Sequence, residues 1–167
     1  RKTELRTVAA GAEWRETGKG QALVIVAGAQ SSGRIAAARQ WVSDGGTMLW
    51  VLTDAAGGAD GLRALIASDS VVVTEAGVDN YELLERIDYR HPLFAPFADP
   101  RYSDFTKIHF WRHRRVEFGG VPGVTVLARF DGGDPAFIEW PLGSGRGLVL
   151  AAGWHPGDGQ LALASAF

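Results

Sequence analysis

Ala22-Leu23-Val24-Ile25-Val26-Ala27, a helical pattern from Arg34 to Asp44, Gly45-Gly46, and Thr47-Met48-Leu49-Trp50-Val51-Leu52 together decide the fold. The first apolar run is strand length and unbroken, which marks a strand buried on both faces of a parallel sheet. Ser31 or Ser32 offers an N-cap, and Ile35, Ala38, Trp41 and Val42 recur at the spacing of one helical face. Gly45-Gly46 ends the helix, because glycine accepts the left-handed conformation found just past helix ends. Thr47–Leu52 is then a second buried strand.

Working outward, Gly57, Gly58 and Gly61 open a short helix whose Leu62, Leu65 and Ile66 face inward, and Val71–Val73 reads as a third strand. Strand, helix, strand, helix, strand with short joints predicts a parallel α/β arrangement with right-handed crossovers. Beyond it the pattern changes. Asn80–Asp88 carries a short helical spacing (Tyr81, Leu84, Ile87), and the two prolines of His91-Pro92-Leu93-Phe94-Ala95-Pro96-Phe97 predict an extended connection. Phe105–Phe118 alternates as a strand. Val124–Phe130, Ala136–Trp140 and Gly147–Ala152 predict a β-meander, with turns at Asp131-Gly132-Gly133-Asp134 and Gly143-Ser144-Gly145-Arg146. Residues 1–20 are a polar lead-in or edge strand, with Leu5–Val8 as the candidate strand, and residues 21–167 form one domain.

Composition narrows the function classes. The chain has 167 residues, enough for a real core, with 46% hydrophobic and 22% charged residues. A net charge of -2 supplies no bulk attraction to nucleic acid or anionic lipid. Zero cysteines exclude disulfides, thiolate metal sites and thiol catalysis. No apolar run reaches the ~18–20 residues of a membrane span. The missing initiator Met and the stop at Ala166-Phe167 suggest a segment of a longer parent.

Each candidate motif has a plainer alternative. Gly143-Ser144-Gly145-Arg146-Gly147 resembles a phosphate loop but leads into a strand, so a hairpin turn is preferred. Gly57-Gly58-Ala59-Asp60-Gly61 has the right strand-to-helix context but neither the Walker lysine nor dinucleotide glycine spacing. Lys107, His109, His113 and Arg115, with Trp111, share one face of the predicted strand and form a candidate basic interaction face. Arg112 and Arg114 fall on the other face, with Ile108, Phe110 and Val116. The four histidines, His91, His109, His113 and His155, show no recognised metal-ligand spacing, so no metal or other cofactor is expected. In an open α/β sheet, ligands gather at the carboxyl ends of strands. Gln30, Ser31, Thr53, Asp54 and His155 would lie there as a candidate pocket, although Asp54 and Ser31 would equally serve as helix caps.

Arg39–Val51 (helix, Gly45-Gly46, strand), His91-Pro92-Leu93-Phe94, Leu127–Ala136 and Gly143–Leu150 together resemble a class I glutamine amidotransferase-like domain. The branch they are most similar to is that of bacterial BatA-like membrane proteins, over roughly residues 22–167. The resemblance implies a flavodoxin-like three-layer α/β sandwich with a mostly parallel central sheet and a C-terminal β-meander. It also implies a parent with an aerotolerance-regulator N-terminal region, transmembrane segments and a von Willebrand factor A-like domain, this domain facing the periplasm. The family's catalytic cysteine would fall at Thr53-Asp54-Ala55, and its terminal His-Pro-Glu at His155-Pro156-Gly157. Cysteine and glutamate are both missing, and a lone His155 is not a triad. The expected function is therefore non-catalytic: protein–protein interaction or ligand sensing by a membrane-anchored bacterial protein, with an unidentified protein partner, no nucleic acid and no insertion of this segment into the bilayer. The alternative is a hydrolase or transferase with substituted chemistry at Asp54 and His155.

Overall fold

The computed structural model describes residues 21–99 and 107–163; the Leu5–Val8 strand and the rest of the lead-in lie outside the described residues. Chain order is β1 (Val24–Ala27), α1 (Ser32–Ser43), β2 (Thr47–Val51), α2 (Ala55–Ile66), β3 (Val72–Glu75), β4 (Leu84–Glu85), β5 (Arg114–Glu117), β6 (Thr125–Phe130), β7 (Pro135–Leu142) and β8 (Gly145–Leu150). Short 3-10 turns lie at Ala95–Phe97 and Leu161–Leu163.

Six strands form one mixed sheet in the order β1-β2-β8-β7-β6-β4. β1, β2 and β8 are parallel, with Ile25 opposite Leu49 and Leu49 opposite Leu148. β8, β7, β6 and β4 pair antiparallel. The expected flavodoxin-like sandwich with a mostly parallel sheet is thereby overturned. A three-layer sandwich covers both sheet faces with helices. Here the only two α-helices among the described residues pack on each other, Arg39 Nε donating to the Leu65 carbonyl at 2.9 Å.

The strand expected at Val71–Val73 exists, shifted by a residue, but not in the main sheet. β3 pairs antiparallel with β5 in a separate two-stranded ribbon. The place beside β2 goes to β8, for a reason of burial. Leu148, Val149 and Leu150 are buried on both faces, as a central strand requires, whereas in β3 only Val73 is buried and Val72 is 42% exposed.

The predicted Asn80–Asp88 helix is also absent. Glu82 pairs with Phe110 through both backbone groups, at 2.8 and 2.9 Å, and Leu84 pairs with Phe130 in β4. These long-range ladders override the helical spacing, and Arg86 at φ 50° lies outside the helical region. Of the described part of the predicted Phe105–Phe118 strand, residues 107–118, only β5 forms, because residues 109–112 bond instead to Glu82, Asp158 and Gln160.

The register places Leu49, Val51, Leu148, Leu150 and Phe137 on one face of the sheet, where Phe94 meets Phe137 edge to face at 5.2 Å. The opposite face presents Trp50 to α2 and Trp140 to Phe118. Trp50, Trp140, Phe94, Phe110, Phe130 and Phe137 are all essentially inaccessible, and a buried side chain of this size contributes about 1.5–3 kcal/mol. At β1, the terminal strand among the described residues, Leu23 and Ile25 stay 41% and 46% exposed.

Candidate functional site

The carboxyl ends of β1, β2 and β8 lie side by side, so the loops that follow them define the site. Gly57, in the first turn of α2, lies close to Ala29 of the β1 loop, and Gly28 lies beside Thr53. Gln30, Ser31, Thr53 and Asp54 are therefore neighbours, as the strand order requires. Each is engaged locally. Gln30 accepts from Arg34 Nε at 3.0 Å and reaches back to the Gly28 carbonyl at 3.4 Å. Ser31 occupies the N-cap of α1 in extended geometry, with no side-chain cap bond. Asp54 caps α2, Oδ1 accepting from Gly57 N at 2.7 Å, while Thr53 Oγ1 donates to its other oxygen at 3.3 Å.

His155 lies on the exposed turn after β8, and its Nδ1 accepts from Gly157 N at 3.0 Å. No hydrogen bond or ion pair joins it to Asp54. The two residues on which substituted catalysis would depend are each held by their own loop.

The centre of this end of the molecule is a group that the candidate pocket omitted. Arg114 is 1% exposed, and its Nη1 donates to Asp158 Oδ2 at 2.6 Å and to the Leu52 carbonyl at 3.1 Å. Its Nε donates to Glu75 at 3.2 Å, and its backbone N–H bonds to Ala151 O at 2.7 Å. Glu75 in turn accepts from Ala55 N at 3.0 Å. A side chain at Gly153 would collide with the Asp158 carboxylate, so the absence of one permits this approach. The sequence signal was shared by two residues: Arg112 and Arg114 both fall on the face of Ile108, Phe110 and Val116, and only Arg114 is buried, Arg112 staying 62% exposed. Glu75 and Asp158 carry no comparable signal.

This arrangement bears on anion binding. Two amides of the first turn of α2, at Ala55 and Gly57, are already taken by carboxylates of this chain. An incoming phosphate would have to displace them and meet the charge of both Glu75 and Asp54.

The candidate basic face does not form as a unit. Lys107 is exposed and Arg115 half-exposed, and His109 is partly buried with its ring 4.1 Å from that of Tyr81. His113 is wholly buried. The expected alternation holds from Lys107 to Trp111 and slips at Arg112–His113, which turns His113 inward beside Arg114.

His113 belongs to a second cluster, at the turn between β6 and β7. Its Nε2 lies 3.0 Å from Asp134 Oδ2 and 3.9 Å from Glu82 Oε2, and its ring packs on Phe130 at 4.2 Å. Arg115 Nε donates to Asp134 Oδ1 at 2.9 Å. Burial pushes the Asp134 carboxyl up, but hydrogen bonds from Arg115 and His113 outweigh it and leave the group below the usual aspartate range. Glu82 lies above the usual glutamate range, chiefly through burial, with Asp131 and Asp134 adding to the rise against His113 and the Gly132 N–H. A third pairing joins His91 Nε2 to Glu139 at 3.2 Å, near enough for attraction but not aligned as a hydrogen bond, with Arg146 on the other Glu139 oxygen at 3.1 Å. Among the described residues, no group of three or more His, Asp or Glu side chains is placed to hold a metal ion.

No protein-family model matches the chain, and no curated protein matches it. Solved structures do. The chain is similar to the cytoplasmic protein STM1381 of Salmonella typhimurium LT2 (TM-score 0.57, 12% identity), covering 81% of this chain and 62% of that one. The cytoplasmic protein STM3548 of Salmonella typhimurium gives a TM-score of 0.55 at 12% identity, over 81% and 61% of the two chains. A cold-adapted β-galactosidase from Rahnella sp. R3 gives 0.50 at 14% identity, over 86% of this chain and 21% of the enzyme. The chain thus spans about three fifths of the two Salmonella proteins and about a fifth of the galactosidase. At these identities the likeness shows the fold alone.

Proposed function

We propose that this chain is a non-catalytic module acting through protein contacts or ligand sensing, within a membrane-anchored bacterial parent. The observation that carries the reading is the internal satisfaction of the strand-end site. Asp54 caps α2, Glu75 and Asp158 hold Arg114, and His155 bonds its own turn. A catalytic constellation needs a nucleophile and a base within mutual hydrogen-bond reach. Support for contacts with other proteins comes from β1, the terminal strand of the sheet among the described residues, where Leu23 and Ile25 remain exposed. A fold that recurs as about a fifth of a much longer enzyme also suits a module. The membrane-anchored parent and the periplasmic location rest on the sequence resemblance to BatA-like proteins; no helix among the described residues is long and apolar enough to cross a membrane.

The test uses the full-length parent in cells. Membrane fractionation is combined with protease accessibility, and a photo-crosslinking residue is placed at Ile25 or, as a control, at the exposed Asp60. The expected result is pelleting with membranes, cleavage only after the outer barrier is opened, and a discrete crosslinked protein from Ile25 but not from Asp60. A freely soluble parent removes the anchored reading. Equal, diffuse crosslinking from both positions removes the contact surface.

A further inference from the structure

We propose that Glu82 is a proton-operated latch, fastening the segment around residues 80–85 to the β6–β7 turn in mild acid and loosening as pH rises. The segment and the turn meet through two backbone-anchored bonds: Asp131 N to Leu83 O at 2.9 Å, and Leu83 N to Asp131 Oδ1 at 3.1 Å. Glu82 lies beside this junction and directs its carboxyl inward over Gly132. Its Oε2 is closed off from solvent and has no hydrogen-bond donor.

The surroundings leave an ionised Glu82 poorly compensated. Glu82 and Asp134 share the single imidazole of His113, and Asp131 adds a further negative charge facing Glu82. The nearer approach to His113 Nε2 is that of Asp134, at 3.0 Å against 3.9 Å for Glu82. The cation from β5, Arg115, bonds Asp134, and its remaining attraction is divided between Glu117 of the same strand and Glu82. A proton from solvent bonding to a Glu82 carboxylate oxygen removes the buried charge. The sign follows from linkage. The folded Glu82 carboxyl titrates above its unfolded value of 4.5, so stability is fully present below that value and is lost as pH rises through the raised folded one.

The latch reaches the surface. Glu82 pairs through its backbone with Phe110, and its neighbour Tyr81, 42% exposed, stacks on His109. Loosening Glu82 therefore shifts an exposed aromatic row.

Amide hydrogen exchange of the 167-residue chain tests this, corrected for intrinsic rate and compared between about pH 5 and about pH 8. Protection of the Leu83 and Asp131 amides is expected to be several-fold higher at the acid end. In Glu82→Gln, which is neutral at every pH and carries a donor, protection should stay at the acid-end level throughout. A wild-type profile independent of pH overturns the proposal, as does a Glu82→Gln variant that keeps the wild-type slope. Asp60→Asn, a change at a solvated carboxylate, should behave as wild type; flattening there too would assign the slope elsewhere. Independently of any variant, the Glu82 carboxyl carbon, followed by NMR in the wild-type chain, should titrate above the ordinary glutamate range. Titration at or below that range overturns the latch.

Discussion

At the scale of single residues, three segments of the chain meet on the guanidinium of Arg114. The ends of β2 and β3 and the loop after β8 contribute the Leu52 carbonyl, Glu75 and Asp158. Glu75 is 46% exposed, so its contribution is screened; Asp158 is only 12% exposed and depends on the pairing. Arg114→Met would leave that carboxylate buried beside a carbonyl, with only the largely exposed Arg112 at 4.0 Å as a cation. The expected loss is about 3–5 kcal/mol, read from urea unfolding at neutral pH. The double variant with Asp158→Asn should recover a good part of it, because the uncompensated charge is what costs. A loss under about 1 kcal/mol would mean that Asp158 finds water and that the pair is not structural. Asp134 gives the acid limb of the pH profile. Its folded carboxyl lies below the ordinary 3.8, so the stability it contributes is present above 3.8 and drains away as pH falls through the depressed value. Asp134→Asn should remove that part of the acid slope, visible in thermal unfolding followed down to about pH 2.

At the scale of elements, α2 offers a direct way to separate a structural Asp54 from a catalytic one. Asp54→Ala deletes a cap and should cost about 1 kcal/mol, whereas Asp54→Asn keeps a capping oxygen and should cost only a few tenths. If thermal melts show the asparagine variant as damaging as the alanine, charge rather than capping holds the turn. The elements also show where sequence and structure part. α1, α2, the hairpin between β7 and β8, and the apolar strands β1 and β2 were all legible, because each is announced by local periodicity and local turn chemistry. The partner of β2 was not. Val71–Val73 and Leu148–Leu150 are both short apolar runs, and only burial on two faces, a property of the finished sheet, decides between them. The failed helix at Asn80–Asp88 has the same origin, since backbone pairing with Phe110 and Phe130 lies far along the chain. Of the candidate site, the juxtaposition of Gln30, Ser31, Thr53 and Asp54 was legible from topology, while the Arg114 network that fills it was signalled only by two arginines, Arg112 and Arg114, on an apolar face, with nothing in the sequence to say which is buried.

At the scale of the whole molecule, β8 joins two halves that look independent along the sequence. It pairs parallel with β2, from the helix-bearing half, and antiparallel with β7, from the meander. Neither half therefore has a complete sheet without it, and closing β8 against β2 spans most of the chain. A strand shared in this way couples the halves energetically, because freeing either one exposes Leu148–Leu150 on one edge. The expected consequence is a single cooperative unfolding transition. Trp50 and Trp140, both essentially buried, report separately on the two halves. A denaturant titration followed by fluorescence in a variant that keeps only Trp50 and in one that keeps only Trp140, the other five tryptophans of each changed to phenylalanine, each compared with its own far-UV circular dichroism, should give coincident midpoints within each variant. If the two probes separate, with the Trp140 signal persisting after circular dichroism has lost its helical part, the meander is stable alone and β8 belongs to it rather than to both. Coincidence would instead make the domain one unit, in which a ligand or partner engaging the exposed edge at Ile25 stabilises the distant β6–β7 turn as well.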